Sequence, residues 1–180
     1  MMKKKVAGLL AVVLVGLALW AAPAFGHLTC NNSEIAVEAF LEEWNRQEIT
    51  VLQSAQEGRI RAVLYENEAG QLGVNVFQRK LLGLRLKHDG MSLYDKGPGL
   101  YLTGTWTEGG LKGSRCEIVV CGDNHGAEVW SYTVADAEGV TDRYAHVGYV
   151  LDIYILDGIA ALPKELQMYG PGGEVFVPES

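Results

Sequence analysis

Asp152 stands inside Tyr149-Val150-Leu151-Asp152-Ile153-Tyr154-Ile155-Leu156, a carboxylate with apolar neighbours on both sides. Period-two alternation puts it on one strand face with Val150, Tyr154 and Leu156. Burial disfavours the charged form, so such a carboxylate must be paired or take up a proton. One chemistry this allows is acid–base work in an active site. Another is a structural pair with an arginine such as Arg85 or Arg115, or an edge position facing water.

Cys121 and His125 form a second candidate, four residues apart across a predicted strand end and turn. A thiol becomes a nucleophile only if the imidazole reaches it in space. Without that reach, the pair is a buried thiol and a surface histidine. Asp123-Asn124-His125 gathers oxygen and imidazole donors, but its spacing fits neither a zinc site nor a calcium loop and reads as a solvated turn. The sequence contains no Gly-x-Ser-x-Gly elbow and no phosphate-binding glycine loop. No cofactor and no metal is implied.

Trp106, Trp130 and Tyr132 are the ligand-binding candidates, since an exposed aromatic face can stack on a sugar or grip a peptide. Against that, Trp130 and Tyr132 share a predicted face with Val134, and Trp106 shares one with Leu100, Leu102 and Gly104, which reads as core. Cys30, Cys116 and Cys121 are the disulfide candidates; their odd number leaves a thiol over. In a regular strand, Cys116 and Cys121 lie on opposite faces about 16 Å apart, against a bridging limit of about 7 Å. Cys30 with one of them, or three buried thiols, both remain open.

These residues need elements to hold them. Asn31, Asn32 and Ser33 are capping residues, and Val37, Phe40, Leu41 and Trp44 fall at helical spacing, predicting an amphipathic helix from about Ser33 to Gln47 with Trp44 as a core anchor. Short alternating runs follow: 49–56, 59–66, 72–79 and 81–87, with His88-Asp89-Gly90 as a turn and 91–99 as a loop or crossover. Further strands are expected at 100–107, 115–121, 127–135 and 146–156. Their turns fall at 108–114, 122–126 and 136–139. Leu162-Pro163 precedes a short irregular segment, and Gly170-Pro171-Gly172-Gly173 turns a last hairpin into Val175–Val177. The fold class expected is α+β, mainly β: an N-terminal helix followed by an antiparallel β-meander in one or two sheets. Residues 27–180 read as one domain, with a subdivision near 91–99.

Before all of this come Lys3, Lys4 and Lys5, an apolar run from Val6 to Ala22, and Pro23-Ala24-Phe25-Gly26. These are the parts of a signal peptide over residues 1–26, cut after Ala24 or Gly26. An uncleaved anchor is the alternative, and lipidation at Cys30 a third reading. Asn31-Asn32-Ser33 is a glycosylation acceptor only in a eukaryotic pathway. The chain has 180 residues and a formal charge of −7, which becomes three more negative once the leader lysines are gone. An acidic body makes nucleic acid, teichoic acid and anionic lipid poor partners. Membrane contact is expected only if the leader is retained.

The leader, the helix with Phe40 and Trp44, the runs Val74-Asn75-Val76-Phe77-Gln78-Arg79 and Ile118-Val119-Val120-Cys121-Gly122-Asp123, and the hairpin Met168 to Val175 together resemble uncharacterised exported or membrane-tethered proteins of Gram-positive bacteria. The resemblance implies a compartment and a style of fold, and no catalytic residues. The expectation is an exported, non-catalytic binding or interaction module, meeting a protein, peptide or glycan at the cell envelope. The alternatives are an envelope enzyme using Asp152 or the Cys121–His125 pair, and a structural envelope component.

Overall fold

The computed structural model describes residues 13, 28–97, 99–107, 115–135, 140–157 and 166–177. The leader apart from Val13, the turns at 108–114 and 136–139, and the segment around Leu162-Pro163 lie outside the described residues. Among those described, no helix is long and apolar enough to cross a membrane.

The protein is mainly β, with antiparallel sheets, and among residues 28–177 the described α-helix is α1 (Glu34–Asn45). The helix does not open the fold as expected. Strand β1 (Thr29–Asn31) precedes it and pairs far along the chain, with Cys30 opposite Leu86. Ser33 caps α1 by accepting a hydrogen bond from the Ala36 N–H at 3.3 Å, satisfying one of the donors a helix start leaves free. Arg46, in left-handed conformation, ends it.

The first sheet adds β2 (Ile49–Glu57), β3 (Ile60–Asn67), β4 (Leu72–Lys80) and β5 (Arg85–Tyr94), in the order β1-β5-β4-β3-β2. The second holds β6 (Gly99–Thr107), β7 (Arg115–Asn124) and β10 (Gly148–Asp157), in the order β10-β7-β6. The third holds β8 (Ser131–Ala135), β9 (Val140–Tyr144), β11 (Leu166–Tyr169) and β12 (Val175–Phe176), in the order β12-β11-β8-β9. The chain leaves the first sheet after Tyr94 and enters the second at Gly99.

Helix and sheets stack as layers around three cores. Val37 and Leu41 of α1 meet Val63, Tyr65, Phe77 and Leu86 on the outer face of the first sheet. Ile60, Ala62, Leu64 and Val74 on its inner face meet Val119, Cys121 and Leu151 of the second. Ile118, Val120, Val150 and Tyr154 on the second sheet's other face meet Tyr132, Val134 and Met168 of the third. Strands β3 and β7 are therefore covered on both faces, by α1 and the second sheet for β3 and by the first and third sheets for β7. Tyr65 crosses its partner Gly73 so closely that a Cβ there would stand 2.1 Å from the ring. Its hydroxyl donates to Asn45 Oδ1 at 3.1 Å and ties the end of α1 to the sheet.

Two stretches differ from the sequence expectation. His88-Asp89-Gly90 is not a turn: Phe77 pairs with His88 and Val76 with Gly90, so Asp89 is the extra residue of a β-bulge and β5 runs on to Tyr94. Turn-type residues serve a bulge as readily as a turn. Nor does 81–87 form one strand. Leu81, Leu82 and Gly83 turn the β4–β5 hairpin with φ values of 49°, 57° and 90°. A non-glycine residue held there costs on the order of 1 kcal/mol. Leu82 is 97% exposed.

Candidate functional site

Asp152 lies in β10 on the face with Val150, Tyr154 and Leu156, turned toward the third sheet. Its partner is neither Arg85 nor Arg115. The Tyr132 hydroxyl donates to Asp152 Oδ2, and Tyr154 donates to the Tyr132 oxygen at 2.8 Å. Arg85 is engaged by Asn31 and Thr29, and Arg115 by Glu117 and Asp157. Burial pushes the Tyr132 hydroxyl pKa upward, and the hydrogen bond to the Asp152 carboxylate pushes it further. The proton therefore stays on Tyr132, and the two hydroxyls form a relay ending on a carboxylate. Arg143 of β9 sits over the Tyr154 ring, 5.3 Å from its centre. A cleft of about 210 Å³ opens here between the edges of β2 and β10, lined in part by Gln56, Glu57, Arg143 and Asp152.

The structure does not assemble Cys121 and His125. Cys121 is fully buried between the first and second sheets, where desolvation pushes its thiol up to about 12. A thiol so raised is protonated at neutral pH and a poor nucleophile. The His125 ring is instead exposed, with Nδ1 2.6 Å from Asp123 Oδ1 and its plane edge-on to Tyr149. Burial raises the Asp123 carboxyl, but hydrogen bonds from the His125 backbone and ring outweigh it and leave the net shift downward. Between them, Asn124 is a buried clamp: its side chain donates to the Val129 and His146 carbonyls and accepts from the Val129 N–H. Among the described residues no three His, Cys, Asp or Glu side chains gather as a metal site.

The three cysteines are free, one in each core. Cys30 faces α1, Cys121 the space between the first and second sheets, and Cys116 the space between the second and third. Burial raises all three, Cys116 to about 11. No disulfide joins them, because a layer of sheet separates each from the next. A buried Cys30 side chain paired into a sheet also speaks against its being a lipid attachment point.

The aromatic candidates part company. Tyr132 is fully buried, as its relay requires. Trp130, expected on the same core face, lies just ahead of β8 and is 56% exposed. Its N–H donates to the Tyr169 carbonyl at 2.7 Å and its carbonyl accepts from the Ala145 N–H at 2.9 Å, so the backbone is fixed while the side chain is out. Tyr144, 80% exposed, stands against it edge-to-face with ring centres 6.4 Å apart. Trp106 lies in β6, and its side chain is outside the described residues. Trp44 is not a core anchor: at 42% exposed, it stacks on Phe40 at 6.0 Å and leans on His88 at 4.7 Å.

Sequence reasoning missed Tyr144 and Arg143, and it read Asn124 as part of a solvated turn where the side chain is buried and bonded. Both Arg143 and Tyr144 are exposed in a strand of five residues, too short for alternation to mark which lies over the Tyr154 ring and which against Trp130. Compared with protein-family models, curated proteins and solved structures, the chain matches none at significant similarity.

Proposed function

We propose that the protein is an exported, non-catalytic binding module of the cell envelope that grips its ligand through Trp130 and Tyr144. The observation that carries this reading is the exposed aromatic pair on a hydrogen-bonded backbone. Two large rings left in water forgo the burial that stabilises Tyr132, at about 25 cal/mol per Å² of apolar surface. Covering them with a ligand recovers it, and their fixed backbone means little ordering entropy is lost on binding. The near-perpendicular rings make a corner that fits a flat apolar face, such as a sugar ring or a peptide side chain.

Cosedimentation with insoluble cell wall from the protein's own host tests the reading, before and after protease treatment of the wall. The parent chain is expected to sediment, and Trp130→Ala/Tyr144→Ala to lose at least tenfold in apparent affinity while keeping its circular dichroism. Retention after proteolysis identifies a glycan, and loss a protein or peptide. Unchanged sedimentation of the double variant overturns the proposal.

A second reading rests on the Asp152 cleft, where a carboxylate and Arg143 line a polar opening. There Asp152 would serve an envelope enzyme. Replacing Asp152 with Asn decides it: a purified activity that survives the change makes the carboxylate a structural acceptor for Tyr132.

A further inference from the structure

At the end of the β4–β5 hairpin, leucines occupy positions that neither burial nor backbone preference explains. Leu84 is 72% exposed beside the nearly bare Leu82. Leu81 and Leu82 hold the consecutive left-handed conformations for which hairpins select Asn and Gly. The tip is not loose: the Asn32 N–H donates to the Leu84 carbonyl at 3.1 Å, and the Asn32 amide to the Gly83 carbonyl at 2.7 Å. Three residues beyond Asn32, Ile35 adds another aliphatic side chain, 82% exposed.

Cations surround these side chains. Arg79, Lys80, Arg85 and Lys87 flank the tip, with Lys80 opposite Arg85, and the Arg79 N–H donates to the Arg59 carbonyl at 2.7 Å. Among the described residues no carboxylate pairs with Arg59, Arg79, Lys80 or Lys87. Of the acids at this end, Asp89 takes a hydrogen bond from Gln78, and Glu34 and Glu57 lie in α1 and at the end of β2. The Arg79 guanidinium is folded against Gly83, where a Cβ would stand 2.3 Å from Nη2. Its Nη1 donates to the Gly58 carbonyl, while its Nε is buried with no acceptor. A buried N–H left in that state is costly, so the Arg79 side chain is held at the tip against the preference of its own hydrogen bonding.

We propose that this tip docks the protein on an anionic lipid bilayer. Leu82 and Leu84 enter the boundary between headgroups and acyl chains, and Arg79, Lys80 and Lys87 meet the lipid phosphates. Aliphatic tip and cationic collar together are what an interfacial anchor needs. A soluble polyanion would use only the cations. The net charge of −7 does not prevent this, because screening over about 8 Å leaves the local end to decide.

The test uses the full chain with Leu82→Trp, and separately Leu93→Trp at the other end of β5, each read against the parent chain. Vesicles of phosphatidylglycerol and phosphatidylcholine are prepared with and without brominated acyl chains. Bromine should quench the indole introduced at position 82 at least twofold and leave that at position 93 unchanged. Quenching at 82 should vanish on pure phosphatidylcholine and in a Lys80→Glu/Lys87→Glu background. A retained leader would hold every variant on the vesicle, so the contrast between positions isolates the tip. Equal quenching at 82 and 93, in chains with native circular dichroism, overturns the proposal. So does a response at 82 to soluble polyphosphate but not to vesicles, or a blue shift set by protein concentration alone, which would assign the tip to a polyanion or to a second copy.

Discussion

Strand β7 and the β4–β5 tip are both rich in aliphatic side chains, and they meet opposite fates. In β7, Ile118 and Val120 face the third sheet while Val119 and Cys121 face the first, and all four are buried. At the tip, Leu82 and Leu84 stand in water beyond the last paired residues, Lys80 and Arg85. Apolar character does not set burial by itself. The layers on either side do, and the tip has none. Leu82 is outside every layer and also on strained backbone, so nothing within the chain accounts for a leucine there.

The contrast is broken most sharply from the β7 side. Ile118→Ala removes a fully buried side chain between two sheets that cannot collapse to fill the space, and should cost about 3 kcal/mol. Urea denaturation at unchanged m-value reads this as a lower midpoint. A loss below about 1 kcal/mol would mean that the second and third sheets are not packed as described. Tyr132→Phe should cost less, about 1–2 kcal/mol, since it leaves the Tyr154 hydroxyl and Asp152 Oδ2 without their partner. The exposed counterpart Tyr144→Phe should leave the midpoint unchanged.

His88 lies between these extremes, half-covered by Phe40, Trp44 and Phe77. Its Nε2 is 2.7 Å from Asn75 Oδ1, a contact in which the neutral ring donates. Burial holds its pKa below the ordinary 6.5, though Asp89 pulls it upward. The unfolded chain therefore takes up this proton at a higher pH than the folded one. The contribution is complete above pH 6.5 and is lost as acid moves the pH from 6.5 down through the folded value. Urea midpoints at pH 7.5 and 5.5 should show this loss in the parent chain, and a smaller one in His88→Gln. Equal losses would place the acid sensitivity elsewhere.

What the sequence made legible follows from how far each signal reaches. Alternation over 59–66 and 72–79 located β3 and β4, and the face assigned to Asp152 is the face it occupies. Those are local patterns. The partner of Asp152 is not local: Tyr132 arrives from another sheet, and no spacing within the 149–156 run announces it. Trp130 failed for the converse reason. Its parity with Tyr132 and Val134 holds only inside a strand, and β8 begins one residue after it. Asp89 looked like a turn because bulges and turns draw on the same residue types, and only pairing distinguishes them. The tip shows the same limit. Leu82, Leu84 and Leu86 alternate as a strand should, yet only Leu86 is buried, because the hairpin reverses before the pattern can be used.

The smallest expected effect carries the comparison furthest, because its sign is reversed. Leu82→Asn deletes an aliphatic side chain as Ile118→Ala does, yet no layer covers Leu82, so little burial is lost. The backbone at Leu82, φ 57° and ψ 25°, is one that Asn tolerates and Leu does not. The substitution should therefore raise stability by about 0.5–1 kcal/mol, the strain released. Asn is preferred to Gly here because Gly would also loosen the unfolded chain and mask the gain. The same variant should weaken retention on anionic vesicles if the tip is the docking element. A more stable protein that binds less well would show that Leu82 is kept for contact with the outside and against the interest of the fold. A less stable one would show that Leu82 is packed after all, and the contrast with β7 would fail at its exposed end.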